Sequence, residues 1–267
     1  MNDNWQEKIE EYCSRYNIPI LYLAETLCEP KVIPMIRGKS FEFSVVMTLQ
    51  GILPKNEWKI YKVSIGEELS FHDTDVKILH KRTGKLIRVE CKLAKKEGYR
   101  LRAGGHSEIY VKCMRSRTLG STKVKELAPK LGVSERSLTI HNDQYLPADF
   151  DVVVTSVANA FYKTGKITGL TEFNPTDPET KFLELLGPSN GESLKDFAFR
   201  RMYIARSVDL TIRPENKITC SRKKCNNKTG CGFIPNYPII HFDASGKPTN
   251  PWIPIEESAR VLRRFIG

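Results

Sequence analysis

Several absences bound the class of this chain. No run of about 18 apolar residues occurs anywhere in its 267 residues, so a conventional spanning helix is not expected. The first residues, MNDNWQEKIEEYC, lack the basic stretch followed by an apolar one that marks a secretory leader. Together these predict a soluble, cytoplasmic protein with no membrane partner. Cysteine is sparse and odd in number: of seven, Cys13, Cys28, Cys91 and Cys113 lie far apart, which suits reduced thiols better than a disulfide framework. No internal repeat and no low-complexity linker divides the chain. Acid is also in deficit, 31 Asp+Glu against 42 Lys+Arg, for a formal charge of +11.

That excess is uneven. Residues 92–130 hold eleven Lys/Arg against three Glu, a balance of +8 in one stretch. Such a concentration favours a polyanionic partner, nucleic acid first and an anionic membrane surface second, over a merely solvated surface.

Hydrophobic residues make up 40% of the chain, enough for a sizeable core. Apolar spacing predicts helix over 4–27, with Pro30 and Pro34 as interruptions, and a second helix over about 38–51. Residues 57–65 read as a strand and 71–96 as a hairpin. Another strand is expected near 107–118, a helix near 121–131, and a buried strand over 150–162. SLKDFAFRRMYIARSV reads as one helix capped by Ser193, and the C-terminal segment as proline-rich loops ending in a short helix. The expected class is α/β, with α+β open, built on a central mixed sheet flanked by helices.

The hairpin FHDTDVKILHKRTGKLIRVECKLAKK carries the most chemistry. With Thr83-Gly84 as a two-residue turn, Asp75 faces Lys92 and Lys77 faces Glu90. Alternation along each strand then projects Asp73, Asp75, Glu90 and Lys92 from one face. Carboxylates gathered at one point repel unless a cation lies between them, and hard oxygen ligands suit Mg2+. The backbone carbonyl of Cys91 is a further candidate ligand. A bound Mg2+ acidifies water and offsets charge on a phosphate, and a neighbouring ammonium orients that water.

An acid opening one strand, followed by Glu-x-Lys ending the next, resembles the PD-(D/E)xK nuclease superfamily. Here the motif reads Asp75, then Glu90-Cys91-Lys92. The acid position falls to Asp73 or Asp75, and Asp75 is favoured because it directly precedes the apolar strand. Thr74 stands where the family often has proline. The family's supporting carboxylate on the preceding helix is matched by Glu42, which shares a helix face with Val45, Val46 and Leu49. Its alternative role is that of a first-turn acid at a helix N-terminus.

Three further features bear on function. Lys95, Lys96, Arg100, Arg102, Lys112, Arg115 and Arg117 lie among glycines and read as a DNA surface, with Gly98, Gly104 and Gly105 permitting close backbone approach. VKELAPKLGVSERSL resembles a helix-turn-helix, with its second helix opening at Ser134; Pro129 inside the first helix favours instead a helix packed on the sheet, capped by Ser121 or Thr122. Cys220, Cys225 and Cys231 are spaced for either free thiols or a Zn2+ site completed by His241, zinc being the lesser alternative.

The resemblance implies a Mg2+-dependent endodeoxyribonuclease similar to type II restriction enzymes. It implies a homodimer acting on double-stranded DNA at a short sequence. The whole chain, 1–267, is read as one nuclease domain with its catalytic core over about 38–162 and a DNA-contacting extension over 211–267. Catalysis falls to Asp75, Glu90, Lys92 and Glu42, metal binding to Asp75, Glu90 and Cys91, and DNA contact to Arg100, Arg102, Lys112, Arg115 and Arg117. A repair or recombination nuclease of the same superfamily and a non-enzymatic helix-turn-helix regulator are the alternatives.

Overall fold

The structure, a computed structural model, describes residues 4–62, 74–167, 169–249 and 251–267. Asp73, the alternative metal ligand, lies outside them. The chain opens with helices α1 (Trp5–Arg15), α2 (Leu23–Cys28) and α3 (Ile33–Ile52). Strands β1 (Trp58–Lys62), β2 (Val76–His80), β3 (Leu86–Cys91), β4 (Ala94–Leu101) and β5 (Ser107–Val111) follow. Next come α4 (Ser121–Lys130), α5 (Glu135–Ile140), β6 (Val152–Ser156), β7 (Tyr162–Thr164) and β8 (Thr171–Phe173). The rest holds α6 (Asp177–Leu185), α7 (Leu194–Arg200), β9 (Met202–Arg206), β10 (Ile239–Phe242), β11 (Ile253–Pro254) and α8 (Ser258–Leu262).

Six strands form one mixed sheet in the order β1-β2-β3-β6-β9-β11. Only β3 and β6 run parallel within it; the other neighbours are antiparallel. A parallel neighbour requires a crossover. The chain uses that crossover, residues 92–151, to lay β4, β5, α4 and α5 beyond the sheet. Side-chain alternation then separates two cores. Val152, Val154, Met202 and Ile204 face α3 and α8, where they meet Phe41, Val45, Leu49 and Leu262. Val153, Tyr203 and Ala205 face the other way, into Tyr99, Ile109, Phe182 and Phe242 from β4, β5, α6 and β10, and Phe161 from the turn after β6. The α/β expectation of a mixed sheet with flanking helices is met, with a second sheet, β10-β5-β4, sharing one face. No helix among the described residues is long and apolar enough to cross a membrane.

Several elements differ from the sequence expectation. The N-terminal helix breaks at Asn17, whose φ of 53° is left-handed, and at Pro19. Helix α3 starts five residues earlier than expected, at Ile33, because Pro34 sits in its first turn, where its missing N–H has no intrahelical partner to lose. The helix expected through residue 208 ends at Arg200. Ser193 does cap it, accepting from the Asp196 amide at 3.2 Å, but Met202–Arg206 is strand. Between β6 and β11 that segment buries both faces, which overrides its helical spacing. Likewise the 150–162 stretch is not one strand: Val152–Ser156 is, and the chain then turns through a short 3-10 helix, Ala158–Phe161, before β7 opens at Tyr162.

Residues 211–267 are no appended extension: β11 forms one edge of the large sheet and Val261 and Leu262 are in its core. Helix α4 is capped by neither Ser121 nor Thr122; Gly120 holds the N-cap position. Nor does it pack on the sheet. Its Val124, Leu127 and Ala128 meet Leu138, Leu146 and Phe233 in a separate small core. Gly98, read as a site of ligand approach, sits at a β4 irregularity where a Cβ would lie 2.4 Å from the Lys95 carbonyl oxygen; its close neighbour is its own chain.

Candidate metal-dependent active site

The β2–β3 hairpin closes through a four-residue loop, Lys81 to Gly84, with the His80 amide bonded to the Lys85 carbonyl at 2.9 Å. Gly84 takes a φ of 68°, which a side chain would resist. The two-residue turn is therefore corrected. Val76 pairs with Val89 and Lys77 with Arg88, a register two residues away from the expected one. Because side chains alternate with a period of two, an even shift leaves every residue on its expected face. Asp75 consequently comes opposite Glu90 rather than Lys92.

At this open end of the hairpin five of the expected residues meet. Asp75 Oδ2 accepts from the Cys91 amide at 2.9 Å, tying the acid before β2 to the last residue of β3. Glu90 is 7% exposed, and Lys92 Nζ lies 2.6 Å from its Oε1. Glu42, 5% exposed, projects from the middle of α3, so it is not a first-turn acid. Its two carboxylate oxygens hold Lys39 Nζ at 2.7 Å and Lys62 Nζ at 2.8 Å.

Glu90 and Glu42 are paired with lysines, whereas Asp75 forms no ion pair among the described residues. Burial pushes the Asp75 carboxyl up to about 7, and the fields of Glu90 and then Glu42 add to it, against the Cys91 amide and Lys92. Burial alone would lower Lys92, but Glu90 and Tyr145 hold its ammonium above the ordinary lysine value. The Cys91 thiol is driven well above its usual range by burial and by the same three carboxylates, so it is no nucleophile. A divalent cation among these oxygens would relieve the repulsion, and the donor set of carboxylates and a backbone carbonyl suits Mg2+.

One participant escaped the sequence reading. The Tyr145 hydroxyl donates to Glu90 Oε1 at 2.9 Å, and its ring lies 5.3 Å from Lys92 Nζ. A lone tyrosine in an irregular segment carries no periodic or motif signal.

The basic residues divide. Arg100, Arg102, Lys112 and Arg117 are exposed. Arg102 pairs with Glu108 at 2.6 Å, and Arg100 folds back onto the Glu97 and Tyr99 carbonyls. Arg115 points inward. It is 8% exposed, with its guanidinium 2.5 Å from Asp149 Oδ2, 3.0 Å from the Gln144 carbonyl and 4.9 Å from the Tyr145 ring centre. A guanidinium so enclosed does not reach a phosphate, so Arg115 is removed from the DNA surface.

The cysteine cluster closes differently from the expectation. The ligand atoms of His141, Cys220, Cys225 and Cys231 all lie within 4.8 Å of one another. His241 is elsewhere, on β10, with Nδ1 3.5 Å from Glu108. His141 was missed because it stands far upstream of the cysteines, at the end of α5.

Searches for related proteins give no match among protein-family models, curated proteins or solved structures.

Proposed function

We propose that this chain is a Mg2+-dependent endodeoxyribonuclease that hydrolyses double-stranded DNA at a short specific sequence, in the manner of a type II restriction enzyme. The observation that carries the reading is the convergence of Asp75, Glu90 and Lys92 at the open end of one hairpin, with Glu42 delivered by α3. In a mixed sheet core this is the arrangement the PD-(D/E)xK resemblance leads one to expect.

The Asp75 and Glu90 carboxylates and the Cys91 carbonyl are the groups that would hold Mg2+, which when bound supplies an acidified water and charge compensation at the phosphate. The protein's own groups do the rest. Lys92, whose ammonium form Glu90 and Tyr145 favour in the metal-free site, would donate hydrogen bonds, holding the attacking water and offsetting charge on the phosphoryl oxygens. Tyr145 fixes the Glu90 carboxylate while leaving its second oxygen free of that bond. Glu42 is ion-paired with Lys39 and Lys62, but its buried Oε2 accepts no hydrogen bond among the described residues; its field reaches Asp75.

The overall +11 charge and exposed Arg100, Arg102, Lys112 and Arg117 support a DNA partner. Two strands need two cuts, and a homodimer supplies two sites. Trp5, Tyr12, Tyr16, Leu21, Tyr22 and Met47 are exposed, a concentration of apolar surface on α1–α3 that suits a second copy.

One observation favours the regulator reading. α4 and α5 form a tight pair around Gly132, whose φ is 66°, and Ser134 caps α5 by accepting from the Ser137 amide at 3.1 Å. Yet α5 has only six residues and turns Leu138 inward, which leaves little helix to enter a groove. Incubating purified protein with plasmid DNA, with and without added Mg2+, separates the readings. Discrete fragments that appear only with Mg2+ are expected. Tight sequence-specific binding with no cleavage under any divalent cation would make it a regulator. Cuts confined to junctions or damaged sites would make it a repair or recombination nuclease.

A further inference from the structure

A second cluster of metal-ligating side chains is built from other residues than the carboxylates. We infer that His141, Cys220, Cys225 and Cys231 bind one structural Zn2+, which ties the C-terminal loop to the segment that carries Tyr145.

Four observations converge on this. The four ligand atoms lie within 4.8 Å of one another; a tetrahedral zinc with Zn–S bonds of about 2.3 Å separates its sulfurs by roughly 3.8 Å, so the cluster is drawn in to within a small adjustment of coordination. His141 is 1% exposed, Cys220 and Cys225 are each 6% exposed and Cys231 is half-buried; four protein ligands fill a tetrahedral zinc and leave no open position for a substrate. Gln144 Oε1 engages His141 Nδ1, while the imidazole stacks on Phe233 with ring centres 4.3 Å apart. With Nδ1 as the donor, the Nε2 lone pair is left for a metal, the outer-shell arrangement that zinc histidines adopt. Finally, the Arg222 amide approaches Cys220 Sγ at 3.4 Å, the kind of N–H that stabilises a bound thiolate. Three thiolates and a neutral imidazole around Zn2+ leave one negative charge; Arg222 and Lys228 lie within the field of His141, Arg222 being itself paired with Asp143.

The loop explains what such an ion is for. Between Ile212 and Ile234 there is no strand and one short 3-10 turn, Pro214–Asn216. So long a stretch without regular structure is uncommon inside a packed domain unless something pins it. Here the backbone closes on itself through Cys220 N to the Lys228 carbonyl at 2.7 Å and Ile212 N to the Phe233 carbonyl at 2.9 Å. It then zips onto the ligand-bearing segment: the Ile234 amide donates to the Tyr145 carbonyl at 2.8 Å, and Gln144 Nε2 to the Ile234 carbonyl at 2.9 Å. The zinc ligand His141, its orienting Gln144 and the Glu90 partner Tyr145 thus share five consecutive residues. The ion is a clamp on that segment and takes no part in chemistry at the carboxylates.

Elemental analysis of protein purified without chelator is expected to find about one zinc per chain. Exchange into Co2+ is expected to give the thiolate charge-transfer and tetrahedral ligand-field absorption of a sulfur-rich site. Cys225→Ala should lose the metal, His141→Cys should retain it through a fourth thiolate, and His241→Ala should retain it fully. Where Cys225→Ala does not accumulate as folded protein, a thiol reagent titrated into the native chain should release zinc in step with modification of these cysteines. Zinc near zero with the three thiols reacting freely in the native state would overturn the assignment. So would zinc retained in Cys225→Ala, zinc lost in His241→Ala, or a pair of these thiols found oxidised to a disulfide. Metal content is read without any DNA cleavage, so an inactive protein carrying one zinc leaves this inference standing and counts only against the nuclease reading.

Discussion

Lys92 Nζ lies 2.6 Å from Glu90 Oε1, two residues back along the same strand end. In the metal-free chain this ammonium pairs with Glu90, which is partly neutralised before any cation arrives. Lys92 therefore competes with metal for Glu90 as well as serving the phosphate. Lys92→Ala is expected to lower Mg2+-dependent cleavage by about 10²–10³-fold, the usual cost of losing one charge-stabilising donor. Mg2+ affinity, measured by calorimetry, should be kept or raised. Lost metal affinity in this variant would show that Lys92 organises the ligands instead.

Asp75→Asn and Glu90→Gln are expected to abolish most Mg2+-dependent cleavage while leaving DNA binding nearly unchanged, because the exposed arginines and Lys112 lie on other elements. Near-normal turnover in both variants, measured at saturating DNA, would remove the site from the hairpin end. A binding loss equal to the loss in turnover would give these acids a role in docking.

Tyr145→Phe keeps the ring and deletes the hydroxyl that donates to Glu90 at 2.9 Å. A hydrogen bond to a charged acceptor contributes roughly 1.5–3 kcal/mol. Freeing Glu90 from one of its two restraints should cost about 10–100-fold in cleavage with little change in DNA affinity. An unchanged rate would mean that Lys92 alone orients the carboxylate.

The acidic strain at Asp75 has a signature in stability. Its carboxyl is raised from 3.8 to about 7, so between those values the folded chain holds a proton that the unfolded chain has already released. The contribution of Asp75 to the stability of the magnesium-free protein then falls as pH rises through that window and is lost above it, against the opposite trend of carboxyls held low by partners, such as Asp143 and Glu179. Asp75→Asn should flatten this dependence and stabilise the magnesium-free protein at pH 8 by roughly 1–3 kcal/mol, a gain obtained by disabling the site. Thermal melts at pH 5 and pH 8 without added divalent cation test it. A wild-type melting temperature that rises over this range, with no gain in Asp75→Asn, would contradict the electrostatic account.

How much of this was legible in the sequence follows from which signals are local. Asp75, Glu90 and Lys92 were placed on one face despite a wrong turn, because a register error of two preserves side-chain parity. An error of one would have scattered them. The mixed sheet followed from alternation and buried valines, and Glu42 from a charge on an apolar helix face. What failed depends on contacts distant in sequence. Strand β9 was read as helix because only its slot between β6 and β11 makes it extended. His141 and the cysteines meet only once the chain is folded. Arg115 looks like its neighbours Arg117 and Lys112 until Asp149 and Tyr145 enclose it.

That last distinction yields a contrast between two arginines two residues apart. Arg117 is exposed, whereas Arg115 is an interior ion pair with Asp149. Removing one partner of a buried pair strands the other charge, so Arg115→Ala should cost about 3–5 kcal/mol of stability. Arg117→Ala should cost almost none and should weaken DNA binding instead. Binding that neutralises about four phosphates, through Arg100, Arg102, Lys112 and Arg117, should fall roughly a hundredfold between 50 and 200 mM salt. Each of these four replaced by alanine should reduce the logarithmic salt slope by about one. Folded Arg115 variants, such as a Lys replacement, should keep the wild-type slope. A slope that drops in Arg115→Lys but stays fixed in Arg117→Ala would reverse the assignment and put the inner arginine on the DNA.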